Sequence, residues 1–279
     1  MLQFRKYQPA KDLAEYVHSY FVIEFDGKKA LKDSIEEAEK YRTNHPQGTV
    51  DLMFAVRGGI NLANFKDDEF QLSKIFVMAQ QEGYFKIKFN PGSFIVGIVF
   101  YSEGFAKLFN FPMAELTNKG RNVEQELSED YHVFHDQLSS IAKEEQIILG
   151  LNEFIRKQLS KVDFSFTKFD MLIRQIRDGQ GSDKIPFLAD QANMSERSLQ
   201  RKMKSITGVS PKSYSKIVRF KSVLELIEGS TELDWQDILY QAGYFDQAHF
   251  IKDFKLYTGS TPSDFIKEDD DLSKRFLGD

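Results

Sequence analysis

Through roughly the first hundred residues, apolar positions fall in short runs or alternate with polar ones, as strands require. YFVIEF (Tyr20–Phe25), TVDLMFAV (Thr49–Val56), SKIFVMA (Ser73–Ala79), YFKIKF (Tyr84–Phe89) and SFIVGIVF (Ser93–Phe100) are rich in β-branched and aromatic residues. Gly58-Gly59, Asp67-Asp68, Gly83 and Pro91-Gly92 punctuate them as turns, and Gly58-Gly59 reads as a hairpin. Five short strands so spaced predict a small barrel or sandwich. KDSIEEAEKYR (Lys32–Arg42) is polar and helical, a solvated insertion. From Glu103 the spacing becomes helical, first in EGFAKLF and then through Tyr131–Leu159, where Phe134, Leu138, Ile141 and later Ile147, Ile148, Leu151, Phe154 and Ile155 recur at helical spacing, in helices that close the first domain.

Beyond KVDFSFTKFD (Lys161–Asp170), which reads as a boundary, the pattern is of short helices only. MLIRQIRDG stops at Gly179, IPFLADQA opens with Pro186 near its first turn, and SERSLQRKMKSI opens on Ser195 as N-cap. PKSYSKIVRFKSVLELIEG, DWQDILYQA and DQAHFIKDFKLY follow, then a charged tail, KEDDDLSKRFLGD. The chain therefore reads as α+β. A β-rich, barrel-like domain with flanking helices spans residues 1–160, and an all-α domain spans 168–267.

One unit occurs twice. Met194–Tyr214 and Gly243–Phe265 superpose at an offset of 51 residues, aligning Ser195 with Asp246, Leu199 with Phe250, Met203 with Phe254, Thr207-Gly208 with Thr258-Gly259 and Pro211 with Pro262. A short helix precedes each copy, with Asn193 and Gly243 in or beside the turn, where a left-handed backbone is tolerated. Helix, tight turn and polar-faced helix make the helix-turn-helix pattern.

On these motifs Met171–Lys267, about a third of the chain, resembles the DNA-binding domain of the AraC/XylS family of bacterial transcription regulators. Leu199 and Arg201 match its Leu-x-Arg. Pro211–Glu228 matches its linker helix, with Arg219 within it. Gly243-Tyr244-Phe245-Asp246-Gln247-Ala248-His249-Phe250 matches its G-F-S-D-Q-S-H-F. Leu239, where the family has a small Ala, and Lys252, where it has Arg, depart from the pattern. The resemblance implies double-stranded DNA as partner and RNA polymerase as a further one where such a regulator activates. Less specifically, YQPAKDLAEYVHSYFVIE, the Pro46–Leu52 segment PQGTVDL and GIVFYSEGFAKLFNFPMAELTN resemble an N-terminal domain carried by a subset of these regulators. This implies a sensing or dimerisation role, with a small-molecule effector and a homodimer as expectations.

Local charge agrees. The chain carries a net −5, yet between Ser195 and Lys221 lie Arg197, Arg201, Lys202, Lys204, Lys212, Lys216, Arg219 and Lys221 against Glu196 alone. Such an excess on one recognition helix and its linker fits a phosphate footprint. On the second recognition helix Lys252 and Lys255 are offset by Asp246 and Asp253, which predicts a weaker reader. Residues at the N-terminus and on the outward face reach base edges. The DNA-contacting candidates are therefore Glu196, Arg197, Gln200, Arg201 and Lys204, with Lys216 and Arg219 on phosphate, and Gln247, Ala248, Ile251, Lys252 and Lys255 in the second copy. Leu199, Met203, Phe250 and Phe254 are expected in the core.

Other chemistry finds little support. The chain has no Cys, so disulfides and thiol catalysis are excluded, including that of DNA-repair proteins built on the same DNA domain. His132-x-x-His135 lacks a third ligand nearby and reads as a surface pair rather than a metal site. There is no phosphate-binding loop and no G-x-S-x-G, so neither an enzyme nor a cofactor is expected. The charged N-terminus and the absence of a membrane-length apolar run predict a cytoplasmic protein that does not span membranes. The rival reading is a small-molecule-binding protein whose DNA domain has degenerated.

Overall fold

The computed structural model describes residues 2–25, 41–141, 143–163, 165–229 and 234–265. The N-terminal half is an antiparallel sheet of β1 (Leu2–Tyr7), β2 (Val17–Phe25), β3 (Arg42–Asn44), β4 (Thr49–Asn64), β5 (Glu69–Met78), β6 (Phe85–Phe89), β7 (Phe94–Tyr101) and β8 (Gly120–Asn122). The main path runs β1-β2-β7-β4-β5-β8, and β6 lies between β3 and β4. Helices α1 (Ser102–Phe109), α2 (Met113–Leu116), α3 (Glu129–Leu138) and α4 (Glu144–Leu159) complete this half.

Alternation along the strands sends successive side chains to opposite faces. Tyr20, Val50, Leu52, Phe54, Ile98 and Phe100 face the helices, where they meet Phe105, Phe134, Leu151 and Phe154. Phe21, Ile23, Met53, Ala55, Phe85 and Ile87 form the other cluster. That cluster joins β2 to β6 across the concave face, so the sheet curls on itself as a barrel-like shell. The α+β expectation holds.

The structure corrects several local expectations. Gly58-Gly59 is not a hairpin turn; β4 runs through it for 16 residues and bends there. The two strands beside that bend break at the same level. Asn90 N–H donates to Gly59 O at 3.1 Å, and Ser93 Oγ lies 2.9 Å from the same oxygen. Gly58 has φ +67°, and a β-carbon there would stand 2.4 Å from Ser93 Oγ. The glycines thus make a sheet corner, passing β4 from β7 to β6 as partner. The helical spacing through Tyr131–Leu159 resolves into two helices, with a break between Leu138 and Glu144. Of the polar insertion Lys32–Arg42, all but the end lies outside the described residues; Arg42 opens β3. The charged tail lies outside them as well.

The C-terminal half comprises α5 (Lys168–Asp178), α6 (Ile185–Gln191), α7 (Glu196–Thr207), α8 (Pro211–Gly229), α9 (Trp235–Gln241), α10 (Gln247–Thr258) and α11 (Pro262–Phe265). It has two cores on opposite sides of α8. Leu172, Ile176, Leu188, Leu199 and Met203 surround Tyr214 and Val218, while Ile238, Phe250, Phe254 and Tyr257 surround Ile217, Phe220 and Leu224. Among the described residues, no helix is long and apolar enough to cross a membrane.

Charged groups buried between α1 and α5 join the halves. Glu103 of α1 is fully buried and accepts from Arg177 at 2.9 Å, with Arg174 at 3.5 Å. Arg177 lies over the Tyr101 ring at 4.0 Å, and Arg174 over Phe166 at 3.7 Å. Asp170 caps α5 through Thr167 and also accepts from Lys107 at 2.6 Å.

Candidate nucleic-acid interface

The two recognition helices, α7 and α10, are 12 residues each and start 51 residues apart. Ser195 Oγ accepts from Ser198 N–H at 3.3 Å, and Asp246 Oδ1 accepts from His249 N–H at 2.7 Å, each satisfying an otherwise unpaired donor. At the other end Gly208 and Gly259 take left-handed caps with φ 89° and 82°. Thr207 Oγ1 donates to Met203 O at 2.9 Å, and Thr258 Oγ1 to Phe254 O at 2.8 Å. Sequence period, caps and hydroxyl bonds all repeat together.

The turns do not. The N–H of Met194 donates to Ala189 O, and that of Tyr244 to Leu239 O, an offset of 50 rather than 51. Asn193 and Gly243, with φ of 51° and 67°, are the matching left-handed residues. The second turn therefore holds one extra residue, Phe245, which is 97% exposed beside the start of α10. Sequence comparison at a single fixed offset conceals this residue. Its signal was the spacing from the left-handed residue to the N-cap, two residues from Asn193 to Ser195 but three from Gly243 to Asp246.

Glu196, Arg197, Gln200, Arg201 and Lys204 are all exposed on α7, and Gln247, Ala248, Ile251, Lys252 and Lys255 on α10. Leu199, Met203, Phe250 and Phe254 are in the two cores. Leu239 packs partly buried against the second core.

Two candidates are placed elsewhere. Lys216 Nζ lies 2.8 Å from Oδ1 of Asp253, which is only 2% exposed, so this cation ties α8 to α10. Arg219 donates to Gly181 O at 2.8 Å and lies over the Tyr244 ring at 5.6 Å. Both are engaged within the fold, which a count of charges along the helix does not show. Asp246 caps its helix and Asp253 faces inward, so neither offsets Lys252 and Lys255 on the outer face. Lys202 stacks on Phe169 at 4.4 Å and Lys221 pairs with Glu225 at 3.6 Å. The outward cations are Arg197, Arg201, Lys204, Lys212, Lys252 and Lys255, all exposed.

His249 Nε2 stands 3.4 Å from Asp253 Oδ2, so its ring packs back along α10. His135, read as one of a surface pair, instead approaches Ala55 O through Nε2 at 3.0 Å, against the sheet.

Between the shell and α8 lies a cleft of about 270 Å³, lined by His18, Gln47, Thr49, Tyr101, Arg177 and Lys221. A smaller cavity beside it shares His18, Gln47, Thr49 and Lys221 and adds Asp51. One Asp51 carboxyl oxygen has no hydrogen-bond partner among the described residues. Burial pushes this carboxyl up to about 7. Burial, helped by Lys221 and Lys6, pushes His18 down to about 3. For Asp51 the folded state holds its proton more tightly than the unfolded chain. Its contribution is present below the unfolded value of 3.8 and is lost as pH rises through about 7. Asp51→Asn is therefore expected to raise Tm by more at about pH 8 than at about pH 5. Thermal melts at both pH values check this.

Residues 188–268 match the family described as a helix-turn-helix domain, and residues 5–122 match a domain of unknown function, DUF6597. Among curated proteins, the HTH-type transcriptional activator RhaS of Escherichia coli is 28% identical over 133 residues, covering 46% of this chain and 47% of RhaS. The chain thus spans about half the length of the curated relatives it matches. Among solved structures, ToxT from Vibrio cholerae O395 is 14% identical, with 95% of this chain and 97% of that one covered and a TM-score of 0.44. The AraC-like transcriptional activator CuxR is 8% identical, with 81% and 86% covered and a TM-score of 0.26. Over residues 188–268 the chain thus carries a helix-turn-helix domain, and it is similar to the HTH-type transcriptional activator RhaS.

Proposed function

We propose that the chain is a sequence-specific DNA-binding transcription regulator controlled by a small molecule held at its N-terminal half. The observation that carries this reading is the pair of equally capped recognition helices, each with its polar face exposed and its apolar face in a separate core. Arg197, Arg201, Lys204 and Lys212 serve the first reader, and Lys252 and Lys255 the second. Arg201 offers a planar fork to guanine, and Gln200 and Gln247 offer amides to adenine. Ala248 and Ile251 suit thymine methyl groups. Glu196, at the start of α7, suits a cytosine amino group. Two such readers on one duplex would span successive turns of one face.

A cleft supports the effector part of this reading. The cleft between the shell and α8 touches both halves, with Arg177 and Lys221 from one side and His18, Gln47 and Thr49 from the other. A molecule there would contact the linker helix directly.

Selection of bound fragments from genomic DNA tests the reading, followed by titration of the recovered site against salt. With Arg201 on a base and the other outward cations, about five, on phosphate, log K against log[salt] is expected to fall with a slope of about −4.5. Arg201→Ala should cost about 1–3 kcal/mol at one base pair and relax selectivity there. A chain that retains no fragment, or binds all fragments alike, would instead be the small-molecule binder with a degenerate DNA domain.

A further inference from the structure

The two helix-turn-helix units have separate cores, and within the C-terminal half they meet along α8. The N-terminal half, however, touches both recognition helices at the same relative position. Thr117 Oγ1 donates to Gly208 O, the cap of α7, at 2.9 Å. Tyr84 N–H donates to Leu256 O in the last turn of α10 at 2.9 Å. His45, 1% exposed, places Nδ1 2.9 Å from Tyr257 O one residue on. Because a carbonyl only accepts, Nδ1 carries the proton, and burial keeps the ring neutral by pushing it down to about 4.

The contacts are close as well as bonded. A β-carbon on Gly208 would stand 2.6 Å from Thr117 Oγ1 and 2.8 Å from Met113 O, and one on Gly259 would stand 3.4 Å from the Tyr84 ring. The equivalent caps of the repeat therefore both abut the N-terminal half. The two points of attachment are also joined to each other. Asn118, next to Thr117, donates its N–H to Gln80 O at 2.9 Å and accepts at Oδ1 from Glu82 N–H at 2.7 Å. Two residues further on is Tyr84. A bonded path thus runs from the end of α7 through Thr117, Asn118, Glu82 and Tyr84 to the end of α10. It leaves the outward faces of both helices exposed.

We propose that this bridge sets the separation and phase of the two recognition helices, so that Thr117, Asn118, Tyr84 and His45 are positioning residues for DNA reading. The proposal rests on the reading of α7 and α10 as DNA readers. Because the bridge grips the rear ends and covers neither reading face, it acts on the geometry between readers rather than on access to them. A rigid pair accepts one spacing of half-elements, whereas a pair held by α8 alone adapts to neighbouring spacings with less discrimination.

The test uses the full chain and its selected site, with the gap between half-elements lengthened or shortened by one base pair. The wild type is expected to prefer one gap by about tenfold or more, equivalent to about 1.4 kcal/mol. Thr117→Val, which keeps shape but cannot donate, and Asn118→Gly, which keeps the φ of 60°, should flatten that preference while the fold survives by circular dichroism. Unchanged spacing preference in both variants overturns the proposal. So does tighter binding at every gap, which would make the bridge a restraint on binding.

A DNA-free measurement separates failure here from failure of the DNA reading itself. The chain has no Cys, so spin labels on Ser205→Cys and Gln241→Cys, both exposed, report one distance between the two units. A narrow distribution that broadens in Thr117→Val and Asn118→Gly supports the bridge. Equal widths overturn it even if the wild type binds DNA, and broadening supports it even if no DNA site is recovered.

Discussion

Lys216→Ala is expected to loosen the second helix-turn-helix unit rather than remove one phosphate contact. The carboxylate it leaves behind, Asp253, is 2% exposed in a core of Phe220, Phe254 and Tyr257. Among the described residues its other close cationic neighbour is His249 at 3.4 Å, an imidazole that carries charge only when protonated. Stranding one partner of a buried pair costs about 3–5 kcal/mol, a large share of the roughly 5–15 kcal/mol that holds a domain folded. A lost phosphate contact, in contrast, lowers the salt slope by about 1 and leaves the fold alone. Hydrogen exchange should show α9 and α10 losing protection while α6 and α7 keep theirs. Adding Asp253→Asn to Lys216→Ala should restore part of the stability, since the stranded charge is gone. A variant with wild-type melting and a reduced salt slope would return Lys216 to the DNA.

Glu103→Ala is expected to do comparable damage at the junction of the halves. Glu103 is fully buried, between Arg177 at 2.9 Å and Arg174 at 3.5 Å. Removing it leaves two guanidiniums facing each other, answered by the more exposed Glu15, at 2.7 Å from Arg174, and Asp178, at 3.5 Å from Arg177. The loss is again about 3–5 kcal/mol, and it falls on the contact between α1 and α5 rather than on either core. Denaturant unfolding should therefore change from one transition to two, as the halves cease to unfold together. Glu103→Gln, which retains an acceptor, should fall between. A single transition shifted by less than about 1 kcal/mol would show that the pair contributes little to coupling the halves.

These two residues also show where the sequence was legible. The repeat, its caps and its core positions follow from local rules, because an N-cap, a left-handed glycine and an apolar stripe each act within one or two turns. Strand content followed from alternation in the same way. The partners of Lys216 and Arg219 within the fold were not legible, because counting charges along a helix does not say which way each one faces. Asp253 looked like a surface offset to Lys252 for the same reason. The sheet corner was missed because Gly58-Gly59 satisfies the rule for a hairpin equally well, and only Ser93 and Leu72, brought close by folding, distinguish the two. β1 was missed because LQFRKY, at the sheet edge, carries Arg5 and Lys6 where a central strand would be apolar. The contacts of Thr117, Tyr84 and His45 with the recognition helices are wholly tertiary, and no local pattern announces them.

Phe245 has a different standing from every residue around it. The equivalent turn in the first unit has no such position, and folding leaves this side chain 97% exposed. A residue that the core does not use is one that mutation can change without passing through an unfolded ancestor. If α10 reads DNA as proposed, the second unit therefore carries, beside the outward face of that helix, a position open to substitution that the first unit lacks.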